Sequence, residues 1–465
     1  MISFSPLDIA VILLFFVTLV SIGFYSSRKI TSGTEDYLLS GRNLGLVLFV
    51  LTTVSTWYGG IIGVGEFTYR YGLLSWFTQG LPYYIFAILF AFLFAKKIRN
   101  ASLFTIPDKI EMEYGKTAGL FSSVIVFVLV SPAPYLLMAA NLLVLTFNID
   151  LIAALIITLI LSISYLIKGG FKSNVYADAF QFFIMFGGFI LIFIMCIINF
   201  GGVEFLSSNV PETHLQITGG ASPGFIIVWF VIAMWTFADP GFHQRSYAAK
   251  SGSIAVKGIL ISIGFWFLFD FLTTATGLYA KALLPEIEQP VWAFPLLAER
   301  VLAPGLKGIF YAALFATIIS TLNSFFFLSA TTISRDLIYK IQKQRKEAKL
   351  KFYTILGLII SGILSSVLAY YIPSVVEIWY TIGSLFIPGI IIPVISAYYP
   401  KLKVNNNCII AEMCVSVGAS LLWLIFRSSI LENSGFYIIE PMLVGIVIAL
   451  LIHGFGLLMY KRKNN

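Results

Sequence analysis

What this 465-residue chain lacks most is charge. Asp, Glu, Lys and Arg make up 11% of it, against about 25% in a water-facing domain. A soluble globular surface is thereby excluded. Cysteine is scarce as well: Cys196, Cys408 and Cys414 form no CxxC pair and sit in or beside apolar runs, which excludes a disulfide-stapled secreted scaffold. The three histidines, His214, His243 and His453, are too scattered for a zinc motif. Apolar residues are abundant instead, at 59% hydrophobic and 16% aromatic with mean hydropathy +0.93. This is the composition of an all-α protein that crosses a membrane many times.

A crossing needs about 20 apolar residues at about 1.5 Å each. Runs of that kind lie near residues 7–26, 44–66, 73–95, 118–147, 150–167, 175–200, 223–244, 257–280, 308–334, 352–372, 375–399, 407–426 and 438–460. These thirteen leave short connections and no separate soluble domain. Placing the loop after the first run inside puts twenty-five of the 30 Lys and Arg inside; only Arg70, Lys281, Arg300, Lys307 and Arg427 fall outside. That is the positive-inside pattern, with the N-terminus outside and the C-terminus inside. It explains the net charge of +8 without a nucleic-acid partner. The first run has no basic n-region and no small-residue cleavage site, so it reads as a span rather than a leader. The basic stretch from Ile338 to Lys351 reads as an orientation signal in contact with lipid headgroups. Short loops and no targeting presequence suit a bacterial inner membrane.

Breaks and acids at membrane depth are costly, so each needs a reason. The second run passes through Leu51 to Gly59-Gly60 and on to Glu66, and the seventh through Trp235 to Asp239-Pro240-Gly241. Both open the helix and free backbone groups of the kind that hold ions and polar solutes in secondary transporters. Being five spans apart, the two runs cross in opposite directions and can each begin one of two inverted repeats. Gly and Pro also serve simple close packing in membrane helices, which is the alternative. In the ninth run Thr317, Ser320, Thr321 and Ser324 share one helical stripe. Hydroxyls with freed carbonyls are hard ligands suited to an alkali cation; alternatively they bond their own i−4 carbonyls or glue helices together. Asp178, at the start of the sixth run, reads equally as a functional acid and as an interfacial acid paired with a lysine.

Six ordered segments then resemble the solute:sodium symporter family over roughly residues 5 to 400. They are Asp36–Gly45, Thr105–Gly115, Gly169–Gln181, Gln244–Lys250, Ser320–Ser324 and Ser334–Tyr339. The resemblance implies a LeuT-type fold. Residues 1–43 would hold an extra N-terminal helix, 44–200 and 201–399 the two inverted five-helix repeats, and 400–465 two C-terminal helices. It implies sodium as coupling ion and no other cofactor, with sodium held by the carbonyls of Leu51, Val54 and Thr317 and the hydroxyls of Ser320 and Thr321. A possible second sodium site would use Asp178, Ser320, Asn323 and Ser324, although Asn323 departs from the serine of two-sodium members. Trp235 falls at an aromatic inner gate and Asp239 at a solute-contacting position of sugar carriers, but Pro240, Gly241 and His243 depart from the sugar pattern.

The expected activity is sodium-coupled symport of a small polar organic solute by alternating access. The candidate solute lining is Trp57, Tyr58, Glu66, Tyr135, Trp235, Asp239 and His243, in which aromatics supply stacking area and acids accept hydrogen bonds. Glu66 reads equally as a rim residue beside Arg70. A membrane enzyme is disfavoured because no loop gathers a catalytic cluster. A sensor or channel-like facilitator on the same fold is the second reading, weakened by the lack of an appended signalling domain.

Overall fold

The computed structural model describes residues 2–28, 33–342, 349–372, 374–430 and 439–464. Among the described residues the regular structure is helical, with one isolated bridge between Leu44 and Ala249 and no strand. The main helices are α1 (Pro6–Ser27), α2 (Leu46–Ser55), α3 (Ile61–Tyr71), α4 (Trp76–Ala101), α5 (Ile106–Leu129), α6 (Ala133–Phe147) and α7 (Leu151–Phe200). There follow α8 (Pro223–Ile232), α9 (Pro240–Ala248), α10 (Gly252–Leu283), α11 (Leu306–Tyr339), α12 (Leu350–Tyr371), α13 (Glu377–Tyr398), α14 (Asn406–Ile430) and α15 (Pro441–Asn464). Starts are set locally. Ser5 and Asp8 form a capping box for α1, and Asp150 accepts the Ala153 amide at 3.0 Å to start α7.

Eleven stretches are long and apolar enough to cross a membrane, fewer than the thirteen runs of the sequence. The difference lies at two places. Helix α2 has ten residues and could cross only jointly with α3. Helix α7 has 50 residues, about 75 Å at about 1.5 Å each, more than twice a ~30 Å hydrocarbon core. It turns at Gly170, whose φ of 50° and ψ of −145° are not helical.

Helix α11 forms the centre: 89% of its apolar window is buried, against 28% for α14 and for α15. It packs along α7 and α1, while α14 and α15 pack on one another at the edge. A helix so enclosed that still carries Thr317, Ser320, Thr321, Asn323 and Ser324, all buried, must satisfy them inside the protein.

Four of the six family-like segments, Asp36–Gly45, Thr105–Gly115, Gln244–Lys250 and Ser334–Tyr339, meet at one end of the bundle. Arg42 donates to the carbonyls of Ser102, Leu103 and Tyr247. Thr105 donates to Asp336 at 2.8 Å, and Asp108 pairs with Arg335 at 2.9 Å and with Lys340 at 3.0 Å. Burial pulls the Lys340 ammonium down, but Asp336, Asp108 and Glu111 outweigh it and hold its pKa above the ordinary lysine value. One correction concerns Arg245. The sequence counts it among the inside loop cations, whereas it sits within α9 with its side chain 3% exposed. Lys29, Lys343, Arg345 and Lys346, which contribute to the charge asymmetry and the basic loop, lie outside the described residues.

Candidate ion and solute site

Both predicted breaks exist. Between α2 and α3 the chain leaves the helix over Thr56–Gly60, and between α8 and α9 it tightens into a 3-10 turn over Ala233–Phe237 before Asp239. Pro240 at the first turn of α9, preceded by Asp239 in the extended region, explains the second break: proline cannot continue the incoming helix but suits the start of a new one. At the first, Gly59 permits contact, since a Cβ there would overlap the Thr321 side chain. The break is thus pressed against α11.

The hydroxyl stripe meets this break. Thr321 Oγ1 donates to the Thr56 carbonyl at 3.0 Å, and Ser320 Oγ donates to Asp178 Oδ1 at 2.8 Å. With their protons committed, both oxygens keep lone pairs for another partner. The i−4 alternative holds for Thr317, whose hydroxyl donates to Ala313 O at 2.6 Å, and fails for Ser320 and Thr321. On α2, Leu51 O accepts Ser55 Oγ at 2.7 Å and Val54 O accepts the Trp57 amide at 3.2 Å. These carbonyls lie at a helix C-terminus, the end whose dipole attracts cations. The parts expected to hold sodium therefore come from the two elements that touch.

Asp178 is fully buried on α7. Thr52 Oγ1 donates to Oδ2, Asn174 Nδ2 donates to the same oxygen at 3.1 Å, and Arg245 Nη2 stands 3.5 Å away. The guanidinium also donates to Thr52 Oγ1 and, at 3.0 Å, to Ser324 Oγ. The partner of Asp178 is therefore an arginine from the second break, and the interfacial lysine pairing is overturned: Lys172 instead faces Asp36 at 3.6 Å. Asn323 donates to Tyr165 OH and leaves its Oδ1 buried without a partner. Of the residues read as a possible second sodium set, Asp178 and Ser324 already share a cation supplied by the protein.

The solute candidates separate. Trp57 lies 5.2 Å from Tyr83, 5.4 Å from Phe242 and 5.0 Å from Trp266, ring centre to ring centre. Tyr135 contacts Trp379 at 5.6 Å, and Trp379 in turn covers Gly60. Asp239 faces Tyr83 and Tyr135, with Trp235 against its carboxylate. One oxygen of Asp239 is occupied in capping α9, accepting the Phe242 amide at 2.8 Å. Trp57, Tyr135, Trp235 and Asp239 thus share one neighbourhood at the two breaks. Glu66, Tyr58 and His243 do not join it. Glu66 bonds Arg70 at 3.0 Å on an exposed turn. Tyr58 is buried and donates to Trp266 O at 2.9 Å. His243 bonds Phe237 O at 3.0 Å and is walled in by Phe90 and Tyr398. Tyr83 and Trp379, which sequence reading missed, are aromatics without a distinguishing motif. An apolar cleft of about 380 Å³ between α4 and α8, lined by Phe77, Phe86, Phe230 and Met234 among others, offers no polar group and is separate from this cluster.

Comparison with known proteins gives a consistent result. The model of the sodium:solute symporter family matches residues 37–415. High-affinity choline transporter 1 of Caenorhabditis elegans is 24% identical over 80% of this chain and 70% of its own length. Sodium/glucose cotransporter 4 of Danio rerio is 26% identical over 74% of this chain, which spans 59% of that relative. The sodium/proline symporter of Staphylococcus aureus is 25% identical over 73% of this chain and 69% of its own. In structure, a sodium-coupled sialic acid symporter solved in a substrate-bound outward-open state aligns over 97% of this chain and 98% of that one, with TM-score 0.80 and 18% identity. Mhp1, a nucleobase-cation-symport-1 family transporter, aligns over 92% and 95%, with TM-score 0.55 and 11% identity.

Proposed function

Because the chain belongs to the sodium:solute symporter family, it is a sodium-coupled transporter of LeuT-type fold and not an enzyme, and we propose that its coupling ion binds where α11 meets the break between α2 and α3. The carbonyls of Leu51, Val54 and Thr317 and the hydroxyls of Ser320 and Thr321 are the ligands. The observation that carries this is the pair of hydrogen bonds that orient the two hydroxyls, Ser320 to Asp178 and Thr321 to Thr56. A sodium ion there ties the broken helix to the central one. Its binding energy then differs between states that keep and states that part this contact, as a ligand must if it is to shift an equilibrium. Inward movement of a positive charge down the membrane potential adds about 2.3 kcal/mol per 100 mV.

One sodium ion per cycle follows from the Arg245 guanidinium, which already neutralises Asp178 and uses Ser324. The solute sits among Trp57, Tyr135, Trp235 and Asp239. Indole and phenol faces cover its apolar part, and the second oxygen of Asp239 accepts from a hydroxyl or amine, so a small polar organic solute fits and a simple anion does not. The relatives are named for choline, glucose and proline, a range too wide to pass on one substrate. We further infer thirteen crossings in a bacterial inner membrane, N-terminus outside, with residues 44–200 and 201–399 as the inverted repeats.

Binding of radiolabelled sodium to the purified protein tests this reading. Saturable binding that potassium does not displace is expected, and its affinity should fall at least about tenfold in Thr321→Ala. Equal binding by the variant would reject the site.

A further inference from the structure

We propose that Asp270 is a proton-binding carboxyl, separate from the sodium site, held between Tyr84 and Tyr58 and reporting on the break between α2 and α3. Its consequence for transport rests on the symporter reading above; its existence does not. Asp270 lies near the middle of α10, in a stretch whose neighbours Phe267, Leu268 and Phe271 are exposed on the outside of the bundle. The charges of its own helix, Lys257 and Lys281, are thirteen and eleven residues away, about 20 and 16 Å along the axis. An acid at this depth is costly as a bare ion and is a functional position by default.

The groups facing it are few. From α4 the Tyr84 hydroxyl donates to Asp270 Oδ2. From the first break, Tyr58 reaches both the carboxyl and the Trp266 carbonyl one turn earlier on α10. From α7, Phe186 and Phe189 pack on the adjacent Phe269 and bring no titratable group. Among the described residues no Lys, Arg or His acts on Asp270. Asp178, by contrast, has Arg245, so the two buried acids differ in kind.

Two features of the backbone are shaped around this carboxyl. Helix α4 opens into a π turn over Trp76–Gly80 directly opposite it, a distortion frequent at functional positions. Within that turn a Cβ on Gly80 would stand 2.9 Å from Asp270 Oδ2 and 3.1 Å from Tyr84 OH, so glycine is what admits the carboxyl. The connection to the solute cluster is short: Tyr58 follows Trp57, and the Trp57 ring lies 5.0 Å from Trp266. The Tyr58 hydroxyl spends its one proton on Trp266 O, so a protonated carboxyl donates to the Tyr58 oxygen, whereas a carboxylate can hold Tyr58 only by drawing that proton away from Trp266. Taking up a proton from water, or returning one, thus repositions Tyr58, and Tyr58 belongs to the break. Low pH therefore shifts the sodium-binding equilibrium without a proton at the sodium site.

Infrared difference spectra of the full-length protein in detergent, between about pH 5 and pH 9 with sodium chloride as the only ligand, test the proposal. The wild type should show the carbonyl stretch of a protonated acid that titrates, and Asp270→Asn should lack that band. Tyr84→Phe, which keeps the acid and removes a donor, should retain the band and move its midpoint; this variant carries the test should Asp270→Asn fail to fold. In the same samples tryptophan fluorescence should report a sodium midpoint that moves with pH in the wild type and not in Asp270→Asn. An unchanged band in Asp270→Asn, or a midpoint that still follows pH in it, overturns the proposal. Loss of every sodium response in the wild type would instead count against the symporter reading, while the band still decides whether Asp270 holds a proton.

Discussion

Arg245 Nη2 stands 3.5 Å from Asp178 Oδ2, with 3% and 0% of the two side chains exposed. The pair joins α9 to α7 across the interior, and the guanidinium also donates to Thr52, to Ser324 and to the Gly241 carbonyl. Removing one member of such a pair leaves an uncompensated charge and costs about 3–5 kcal/mol, whereas removing both costs far less. Asp178→Asn and Arg245→Gln should each lower the thermal midpoint by several degrees, and the double variant should recover much of the loss. Strict additivity in the double-mutant cycle would show that the two do not act as a pair.

Ser320 and Thr321 are the sodium-specific elements. Replacing either with alanine removes one oxygen ligand while leaving the backbone contacts of α11 intact. The sodium concentration for half-maximal stabilisation should rise at least about tenfold, equivalent to ~1.4 kcal/mol, on top of the loss of about 1–3 kcal/mol that a deleted buried hydrogen bond costs in either salt. Thr321→Ser, which keeps the hydroxyl, should stay within about threefold of the wild type. A sodium midpoint unmoved by both alanine variants would remove these residues from the site.

Solute and ion should separate by mutation. Trp235→Ala and Asp239→Asn alter the aromatic and acidic walls of the solute cluster but contribute nothing to the sodium ligands. Both should abolish solute-dependent stabilisation while sodium alone still raises the thermal midpoint. If either variant instead loses the sodium response and keeps the solute response, the assignment of the two neighbourhoods is reversed.

Glu66 provides a control. Its bond to Arg70 is an exposed i,i+4 pair on α3, of a kind contributing about 0–1 kcal/mol. Glu66→Gln should therefore leave solute and sodium responses unchanged, measured by the same thermal titrations. A large loss of solute response would return Glu66 to the lining.

How much of this was legible in the sequence depended on whether the signal was local. The two breaks are written in Gly59-Gly60 and Asp239-Pro240-Gly241, and the hydroxyl stripe in the three- and four-residue spacing of Thr317, Ser320, Thr321 and Ser324. Arg245 was not legible in its role. Counted along the chain it follows an apolar run and looks like a loop cation, because the break makes the run seem to end where α9 in fact carries the chain onward through the interior. Tyr58 was misread for a similar reason: next to Trp57 in sequence, it points across the break to α10, since an opened backbone no longer spaces neighbours by 100° of helix. His243 shares α9 with Arg245 but faces Phe90 and Tyr398 rather than the solute. Asp270 had a signal that was available, a single acid inside an apolar run, and only its partners on α4 and in the break give it meaning.

Coupling through the contact between α11 and the first break is put to the test by thermal unfolding of the purified full-length protein across a panel of small polar solutes, each in sodium chloride and in potassium chloride. One solute class should raise the midpoint only in sodium, and Ser320→Ala and Thr321→Ala should erase that dependence. A solute that stabilises equally in both salts, in the wild type as in these variants, would contradict that coupling.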